Sequence, residues 1–322
     1  MHIVASGPVA VHTFPVGLPG GHVHWFVVAK QTFEVGSGGC LPHQVQVPVL
    51  PAEAEHEGHR HTSDVGLHKE GCDVVVLGEA ASLRPVERSE VRVRVGALDR
   101  TLLVTGDRVW ERAPFGAMQA SPPLRFERMP LTWSRAFGGA AVVDDEGHEL
   151  VWPDNPEGRG FVRPGARAAA EGVALPNVEW PGRAMATWSD QPEPAGVAFY
   201  PRTWGLRLAT GVRPGPKASA PPTILPAAFN QAHPAFVLPA LPSGIARVDG
   251  AHPGHFEVSL PRPTARATLI RPTGPVELPI TWDLLVLEPA AGRVVIAGRT
   301  AFPWDPQQDP DAHVVVRAGG AA

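Results

Sequence analysis

Alternation of apolar and polar residues predicts β-strands at both ends of this chain. Between Glu90 and Val95 valines alternate with charged residues, as expected for a strand with one buried and one solvated face. Gly96–Arg100 is rich in turn residues and Thr101–Thr105 is again apolar and β-branched, so the pattern predicts a hairpin. Asp73–Leu77 contains a continuous apolar run, which is typical of a strand buried on both faces.

Further strands are predicted from the same signals. His24–Val35 is rich in aromatic and β-branched residues, and Gln44–Leu50 and His255–Leu260 alternate between apolar and polar residues. Leu284–Leu287 and Val294–Ala297 flank a turn-rich segment and predict a second hairpin.

The middle of the chain, from Pro114 to Pro242, is dense in Pro, Gly and Trp and has no regular period. Of the 322 residues, 71 are Gly or Pro, and inside a helix Pro costs about 3 kcal/mol and Gly about 1 kcal/mol, so a mainly helical fold is excluded. A hydrophobic content of 43% against 19% charged residues argues against disorder. Short helices are predicted only near Pro201–Thr210 and Pro226–Ala232.

These patterns predict a mainly β protein. Antiparallel, sandwich-like sheets come from the N- and C-terminal thirds, and a long Pro/Gly/Trp-rich central insertion carries a few short helices. The regions are residues 1–113 (N-terminal β region), 114–242 (loop-rich central region) and 243–322 (C-terminal β region), and we expect them to form one integrated domain.

Composition narrows the expected location and partners. The formal net charge is −4 without a basic block, so we expect no nucleic-acid partner. No apolar run approaches the roughly 18 residues of a membrane span, and the N-terminus lacks the features of a secretory leader. Cys40 and Cys72 have neither metal nor redox spacing. We therefore expect a cytoplasmic protein with no cofactor and no membrane partner.

A histidine-rich segment between His43 and His68 is the most tempting site for a metal. It includes His56, His59 and His61, and imidazoles are common metal ligands. The spacing matches no closed zinc pattern. The alternative interpretation is a solvated connector in which the histidines are incidental, so no metal is predicted.

No residue is predicted to be catalytic. The chain lacks a nucleophile elbow and a phosphate-binding loop. A carbohydrate-binding or glycoside-processing protein remains the alternative, because it would combine the Trp-rich centre with two nearby carboxylates. The candidate acids are Asp144, Asp145, Glu179, Asp190 and Glu193.

Tryptophans and arginines of the central region have two interpretations. They pack within the protein, or they are exposed anchors for a partner, because Trp and Arg are enriched at interface hot spots. The partner-binding hypothesis names Trp152, Arg159, Trp180, Trp188, Trp204 and Arg207. For the arginines, including Arg135, buried ion pairs and surface contacts both remain open.

Several segments, in the same order along the chain, carry a resemblance to a known family. They are Lys69–Ala80 (KEGCDVVVLGEA), Thr105–Trp110 (TGDRVW), Leu131–Gly139 (LTWSRAFGG), Asp154–Phe161 (DNPEGRGF), Leu175–Glu179 (LPNVE), Pro194–Gly196 (PAG) and Ala228–Ala232 (AFNQA). The chain resembles domain of unknown function (DUF) family 2169 over about Val23 to Trp304. The motif residues are Asp107, Arg108, Trp110, Arg135, Phe137, Gly138, Gly139, Asn155, Pro156, Gly158, Gly160, Phe161, Asn177 and Asn230.

The resemblance implies a binding role and brings no catalytic residues. Genes of this family commonly lie in type VI secretion clusters, beside spike-tip (PAAR) proteins, VgrG spike proteins and toxic effectors. The expected function is an adaptor or chaperone that binds a spike-tip effector and assists its loading onto the VgrG spike. The chain departs from the family pattern between Thr210 and Pro234, which puts its partner preference in doubt. The motif glycines and Asn155–Pro156 also have a structural interpretation, because Gly supplies positive φ and Asn-Pro initiates turns.

Overall fold

Strands dominate the N-terminal region of the computed structural model, which describes residues 2–17, 22–142, 147–217, 220–252, 255–305, 307 and 310–319. The strands of residues 1–113 are β1 (His2–Ser6), β2 (Ala10–Gly17), β3 (Val23–Gly36), β4 (Gly39–Pro42), β5 (Ala54–His56), β6 (His59–His61), β7 (Cys72–Val76), β8 (Glu79–Val86), β9 (Arg88–Val95), β10 (Leu98–Thr105) and β11 (Trp110–Arg112).

The central region contains shorter elements. Its strands are β12 (Met118–Ala120), β13 (Phe126–Pro130), β14 (Phe137–Gly138), β15 (Ala140–Val142), β16 (Glu149–Val151), β17 (Arg159–Gly160), β18 (Val178–Glu179), β19 (Val212–Arg213), β20 (Thr223–Ile224) and β21 (Val237–Leu238). Its helical elements are α1 (Gly205–Gly211) and the 3-10 turns Pro114–Gly116, Trp133–Arg135, Arg167–Ala170, Pro226–Phe229 and Pro234–Phe236.

The C-terminal region returns to longer strands. They are β22 (Ile245–Asp249), β23 (His255–Ser259), β24 (Arg266–Arg271), β25 (Gly274–Leu278), β26 (Thr281–Glu288), β27 (Arg293–Trp304) and β28 (His313–Arg317).

The largest sheet combines strands from all three regions. Within the described residues it has seven strands in the order β2-β3-β27-β26-β7-β21, and β4 pairs with β3 beside this path. Its pairs are antiparallel except for β7 and β26, which run parallel. Every residue of β7 is buried, as its uninterrupted apolar run predicts for a strand covered on both faces.

A second sheet packs against the first through a common core. It has the order β18-β10-β9-β22-β23, and Val93 and Leu102 from this sheet belong to the same buried cluster as Val75 and Leu285 from the seven-stranded sheet. The alternating valines of β9 point into this core while its arginines remain accessible, as the hydrophobic pattern dictates. The arrangement is a sandwich.

A third sheet covers another part of the seven-stranded sheet. It has the order β1-β28-β24-β25, with β1 and β28 parallel. Leu269, Val314 and Val316 from this sheet share a buried cluster with Val27 and Phe302 from β3 and β27.

The predicted fold class is confirmed. The structure is mainly β, with several antiparallel sheets. Both predicted hairpins are present, as β9–β10 and β26–β27. The strand prediction for Gln44–Leu50 is wrong, since those residues form no strand. This segment is instead tied to β3 by side chains, for example by the Val47 amide donating to Thr32 Oγ1 at 2.9 Å.

The two predicted helices differ from each other in the structure. The first is α1, which begins at Gly205 after Trp204 at its N-terminal boundary. The second is the 3-10 turn Pro226–Phe229 and has no α-helical part, because Asn230 leaves the helical conformation with a ψ of 150°. Among the described helices, none has the length and hydropathy needed to span a lipid bilayer.

Candidate functional site

Four residues from separate motif segments meet at the protein surface. Nη1 of Arg135 lies 2.8 Å from Asp107 Oδ1 and 3.2 Å from Asn177 Oδ1. Nη1 of Arg159 lies 3.5 Å and 3.1 Å from the same two oxygens. We call Asp107, Arg135, Arg159 and Asn177 the arginine-pair site.

The surrounding backbone fixes these side chains in place. Asn177 lies directly before β18 and donates from Nδ2 to Thr105 O and Asp107 Oδ1, each at 3.0 Å. Arg159, in β17, donates from Nε to Ser134 O at 2.8 Å. The guanidinium groups are therefore held by neutral acceptors as well as by the carboxylate, which makes their positions rigid.

The site has more positive than negative charge. Within the described residues, Asp107 is the only carboxylate in ion-pair contact with Arg135 or Arg159. Burial, and then the positive charge of Arg135, lower the pKa of the Arg159 guanidinium, while Asp107 opposes this shift. The side chains of Arg135 and Arg159 are 27% and 25% exposed and that of Asp107 is 52% exposed, so a solute can reach all three.

A buried asparagine supports the arginine-pair site from below. Asn155 is fully buried and donates from Nδ2 to Trp133 O at 2.8 Å and to Phe137 O at 2.9 Å. These bonds hold the segment after Asn155 against the segment that carries Arg135. As a result β14 and β17 pair in parallel, with Phe137 opposite Arg159.

The motif glycines allow this close backbone contact. A Cβ atom at Gly138, where φ is +142°, would lie 2.1 Å from Asn155 O, and one at Gly158 would lie 2.7 Å from Ala136 O. Gly139 and Gly160 also have positive φ, at +96° and +93°. The geometry thus supplies a structural reason for glycine at all four positions.

A buried ion pair and an aromatic cluster also support the backbone around the arginine-pair site. Arg108 Nη2 donates to Glu179 Oε2 at 2.8 Å, and both side chains are buried. Trp110, Phe137 and Phe161 lie in one buried hydrophobic cluster. Pro156 lies within the turn Asn155–Gly158, whose ends are joined by a hydrogen bond from Gly158 N to Asn155 O of 3.2 Å.

The family model for DUF2169, described as an uncharacterized protein conserved in bacteria, matches residues 20–299. The chain belongs to this family. Neither the curated proteins nor the solved structures include a match to the chain. The structure therefore shows how motif residues of a DUF2169 chain are arranged: thirteen of the fourteen lie in the site or its support, and Asn230 lies elsewhere.

Two openings adjoin the arginine-pair site of this DUF2169 protein. One is a groove of about 400 Å³ between β15 and residues 158–163, and Arg159 and Arg163 are the charged residues among its described lining. The other is a cleft of about 560 Å³ whose lining includes Arg135, Ser134 and His59. We call them the β15 groove and the Arg135 cleft.

The β15 groove is bordered by an unpaired strand edge. β15 pairs with β16 on one side, and no other described strand pairs with it. Val142, Leu150 and Val151 on this hairpin are 59%, 44% and 42% exposed. Exposed apolar side chains beside a free strand edge are features of protein-binding surfaces.

The predicted partner-binding tryptophans pack against other rings. Trp204 is buried and lies 5.2 Å, between ring centroids, from Tyr200. Trp152 is half-buried at 5.3 Å from Phe137, and Trp180 is half-buried at 5.6 Å from His233. Trp188 is half-buried against the cluster of Trp110.

Trp204 and Arg207 are not the exposed anchors that the partner-binding hypothesis requires. Trp204 is 5% and Arg207 is 2% exposed. The Arg207 guanidinium donates to the carbonyl oxygens of Ala227 and Ala232. Of the open alternatives for Arg207, the structure thus shows burial, with backbone carbonyls in place of a paired carboxylate, because the bent segment 227–232 leaves carbonyls without strand partners.

Asn230 belongs to a buried polar network that motif reasoning missed. Asn230 Nδ2 donates to Asp73 Oδ1 at 2.9 Å. Lys69 Nζ donates to Asp73 Oδ2 at 2.8 Å and to Gln231 Oε1 at 2.5 Å. Arg299 Nε donates to Asp283 Oδ2 at 2.5 Å. Charged residues inside otherwise apolar strands were the sequence signal for this network.

His56, His59 and His61 of the histidine-rich segment lie in the hairpin β5–β6. Within the described part of the chain, no group of three or more His, Cys, Asp or Glu side chains is placed to hold a metal ion. His61 is buried, and burial followed by the charge of Lys30 lowers its pKa to about 4. Arg60 of this hairpin forms an ion pair with Glu157 of the motif turn.

The acids considered for glycoside chemistry have other partners. Glu179 accepts from Arg108 and from the Met185 amide. Asp190 accepts from the Ala186 and Thr187 amides, at 2.8 Å each. Glu193 Oε1 lies 3.4 Å from His233 Nε2. Asp144 and Asp145 lie outside the described residues.

Proposed function

We propose that this DUF2169 protein is a type VI secretion adaptor or chaperone. It binds an effector that carries a spike-tip (PAAR) region and assists loading of that effector onto the VgrG spike, before export from the cytoplasm. The observation that carries the proposal is the β15 groove, where a free strand edge and exposed apolar side chains lie beside the motif residues of the family.

A binding role fits the rigidity of this surface. Hydrogen bonds from Asn155 fix the two segments beneath the β15 groove, and the glycines hold them in close contact. A surface that is ordered before binding loses little conformational entropy when a partner docks. An extended partner segment could add to the free edge of β15 and bury Val142, which lines the groove.

The carbohydrate alternative has less support. Its candidate tryptophans pack against neighbouring aromatic rings, and Glu179 is engaged in a buried ion pair.

Co-expression with the spike-tip effector encoded beside the gene tests the proposal. We expect a stable complex, and loss of soluble effector when this protein is omitted. Val142→Asp should weaken the complex because it places a charge in the apolar lining of the groove.

Leu83→Asp is the matched control, since Leu83 is 84% exposed on β8, outside the described lining of the groove. The proposal would be refuted if no complex forms and the solubility of the effector is unchanged when this protein is omitted. Equal loss of binding in Leu83→Asp and Val142→Asp would move the interface away from β15.

A further inference from the structure

The charge balance of the arginine-pair site is incomplete. Two guanidinium groups, from Arg135 and Arg159, share the single carboxylate of Asp107. Their remaining contacts, to Asn177 Oδ1 and Ser134 O, are to neutral oxygens. Arg163, in the lining of the adjoining groove, forms no ion pair within the described residues. One further negative charge would balance the arginine pair.

The geometry is ready to receive such a charge. Both Nη1 atoms converge on the same two oxygens, Asp107 Oδ1 and Asn177 Oδ1. Ser134 O accepts from Arg159 Nε, and Arg159 Nη2 donates to no acceptor among the described residues, so it is left for a ligand. Arginines held in this way bind carboxylates with two hydrogen bonds and lose little side-chain freedom.

Neighbouring charges favour a carboxylate on a protein segment over a polyanion. The Arg135 cleft also contains Glu79, and the connected opening around Ser134 contains Glu55 and Glu157. Glu79 is paired with Arg128 and Glu157 with Arg60, so the described linings mix both signs of charge and do not form a continuous positive surface for a nucleic-acid backbone, which presents a phosphate at every nucleotide. A single carboxylate needs only Arg135 and Arg159.

We infer that the arginine-pair site binds a single aspartate or glutamate of an extended, otherwise apolar segment in the partner protein, with that segment lying along β15. This inference rests on the proposed adaptor function and specifies the chemistry of the partner. Asp107 then acts as an internal competitor that occupies the arginines until the partner's carboxylate arrives.

Asp107→Asn provides the sharpest test. Asparagine keeps the Oδ1 acceptor for Arg135, Arg159 and Asn177 but removes the competing charge. A short fluorescein-labelled, valine-rich peptide with a single central glutamate serves as the probe, and fluorescence anisotropy measures its affinity. We expect Asp107→Asn to strengthen binding about threefold or more, because an exposed competing charge is lost. Arg159→Gln should weaken it about tenfold, which corresponds to one charge-assisted hydrogen bond.

Matched controls come from the exposed pair Arg92–Asp99, whose Nη2–Oδ2 distance is 2.6 Å on the β9–β10 hairpin. Asp99→Asn and Arg92→Gln should leave the affinity unchanged, and urea denaturation confirms that each variant is folded. The same peptide with glutamine in place of its glutamate should bind much more weakly. Absence of saturable binding, equal binding of the two peptides, or weakened binding in Asp107→Asn would overturn the inference.

The same variants separate this inference from the proposed function. If folded Arg159→Gln and Asp107→Asn retain the effector as well as the unsubstituted protein does, the adaptor function stands and the carboxylate site falls. If the peptide binds as expected while no effector complex forms, the carboxylate-binding role of the arginine-pair site is supported and the adaptor function is refuted.

Discussion

The ammonium group of Lys69 lies 2.8 Å from a carboxylate oxygen of Asp73, and neither side chain has any solvent exposure. Burial alone would raise the pKa of the Asp73 carboxyl, but the charge and hydrogen bond of Lys69 and the bonds from Asn230 and Gln231 hold that pKa below its usual value. The network joins β7 to the segment after the 3-10 turn Pro226–Phe229. It therefore fastens the central region to the largest sheet.

Replacing Lys69 by methionine should be strongly destabilising. The apolar side chain leaves the carboxylate of Asp73 buried without its cation, whereas Asp283 keeps its ion pair with Arg299. Loss of one partner from a buried pair costs about 3–5 kcal/mol, and urea denaturation measures the change in unfolding free energy. Asp99→Asn, in an exposed pair, should cost far less. Equal losses in the two variants would contradict the assigned role of Lys69.

Gly138→Ala should destabilise the support of the arginine-pair site. The new Cβ would lie 2.1 Å from Asn155 O, and the backbone has a φ of +142°. Gly165→Ala is the matched control, because its φ is +79° but its Cβ would meet no atom within 4 Å. The control carries only backbone strain, about 1–2 kcal/mol, whereas Gly138→Ala adds a steric clash. Thermal unfolding should show a clearly larger loss of stability for Gly138→Ala than for Gly165→Ala. Equal losses of stability would show that the close contact with Asn155 O does not require glycine at position 138.

Asn155→Asp should weaken the protein at neutral pH although the two side chains have the same shape. The Nδ2 group donates to the carbonyls of Trp133 and Phe137, and a carboxylate oxygen in its place would face two acceptors. Loss of these bonds with burial of a charge should cost about 3 kcal/mol or more. Acidification should recover part of the loss, because a protonated carboxyl donates one hydrogen bond. Urea denaturation at neutral and acidic pH checks both effects, and an unchanged midpoint at neutral pH would be the contrary result.

His233 should make stability depend on pH. Burial, followed by the positive charge of Arg207, lowers the pKa of His233 to about 3, whereas an unfolded histidine titrates near about 6.5. Between these values the unfolded chain binds more protons than the folded one, so this histidine's contribution to stability falls as the pH falls. His233→Asn should remove up to about 1.4 kcal/mol per pH unit from the slope in that window. Urea denaturation at several pH values measures the slope; parallel curves for the two proteins would refute the prediction.

Local sequence patterns were sufficient for the hairpins β9–β10 and β26–β27 and for the family. The alternation in Arg88–Val95 places its valines on the face toward the core, whatever that face packs against. The prediction failed at Gln44–Leu50, where the same alternation produced no strand. The Val47 amide donates to Thr32 Oγ1, which satisfies a backbone group that a strand ladder would otherwise satisfy.

The candidate site could be predicted only as separate motifs. Asp107, Arg135, Arg159 and Asn177 were recognisable one by one, but their shared contacts span separations of up to 70 residues. The solvent exposure of individual side chains could not be predicted from the sequence either, since Trp204 and Arg207 lie in the same loop-rich region as Trp152 yet are buried. Burial depends on what the rest of the chain places over a side chain, which local composition does not encode.

The sequence by itself determined that this is a mainly β protein of the DUF2169 family, because strand periodicity and motif order are local properties. Only the tertiary structure decided that β7 from the first third pairs with β26 from the last third, and that two arginines share one carboxylate. Such contacts arise when packing brings distant segments together. The arginine-pair site thus owes its excess charge to the fold rather than to any single motif.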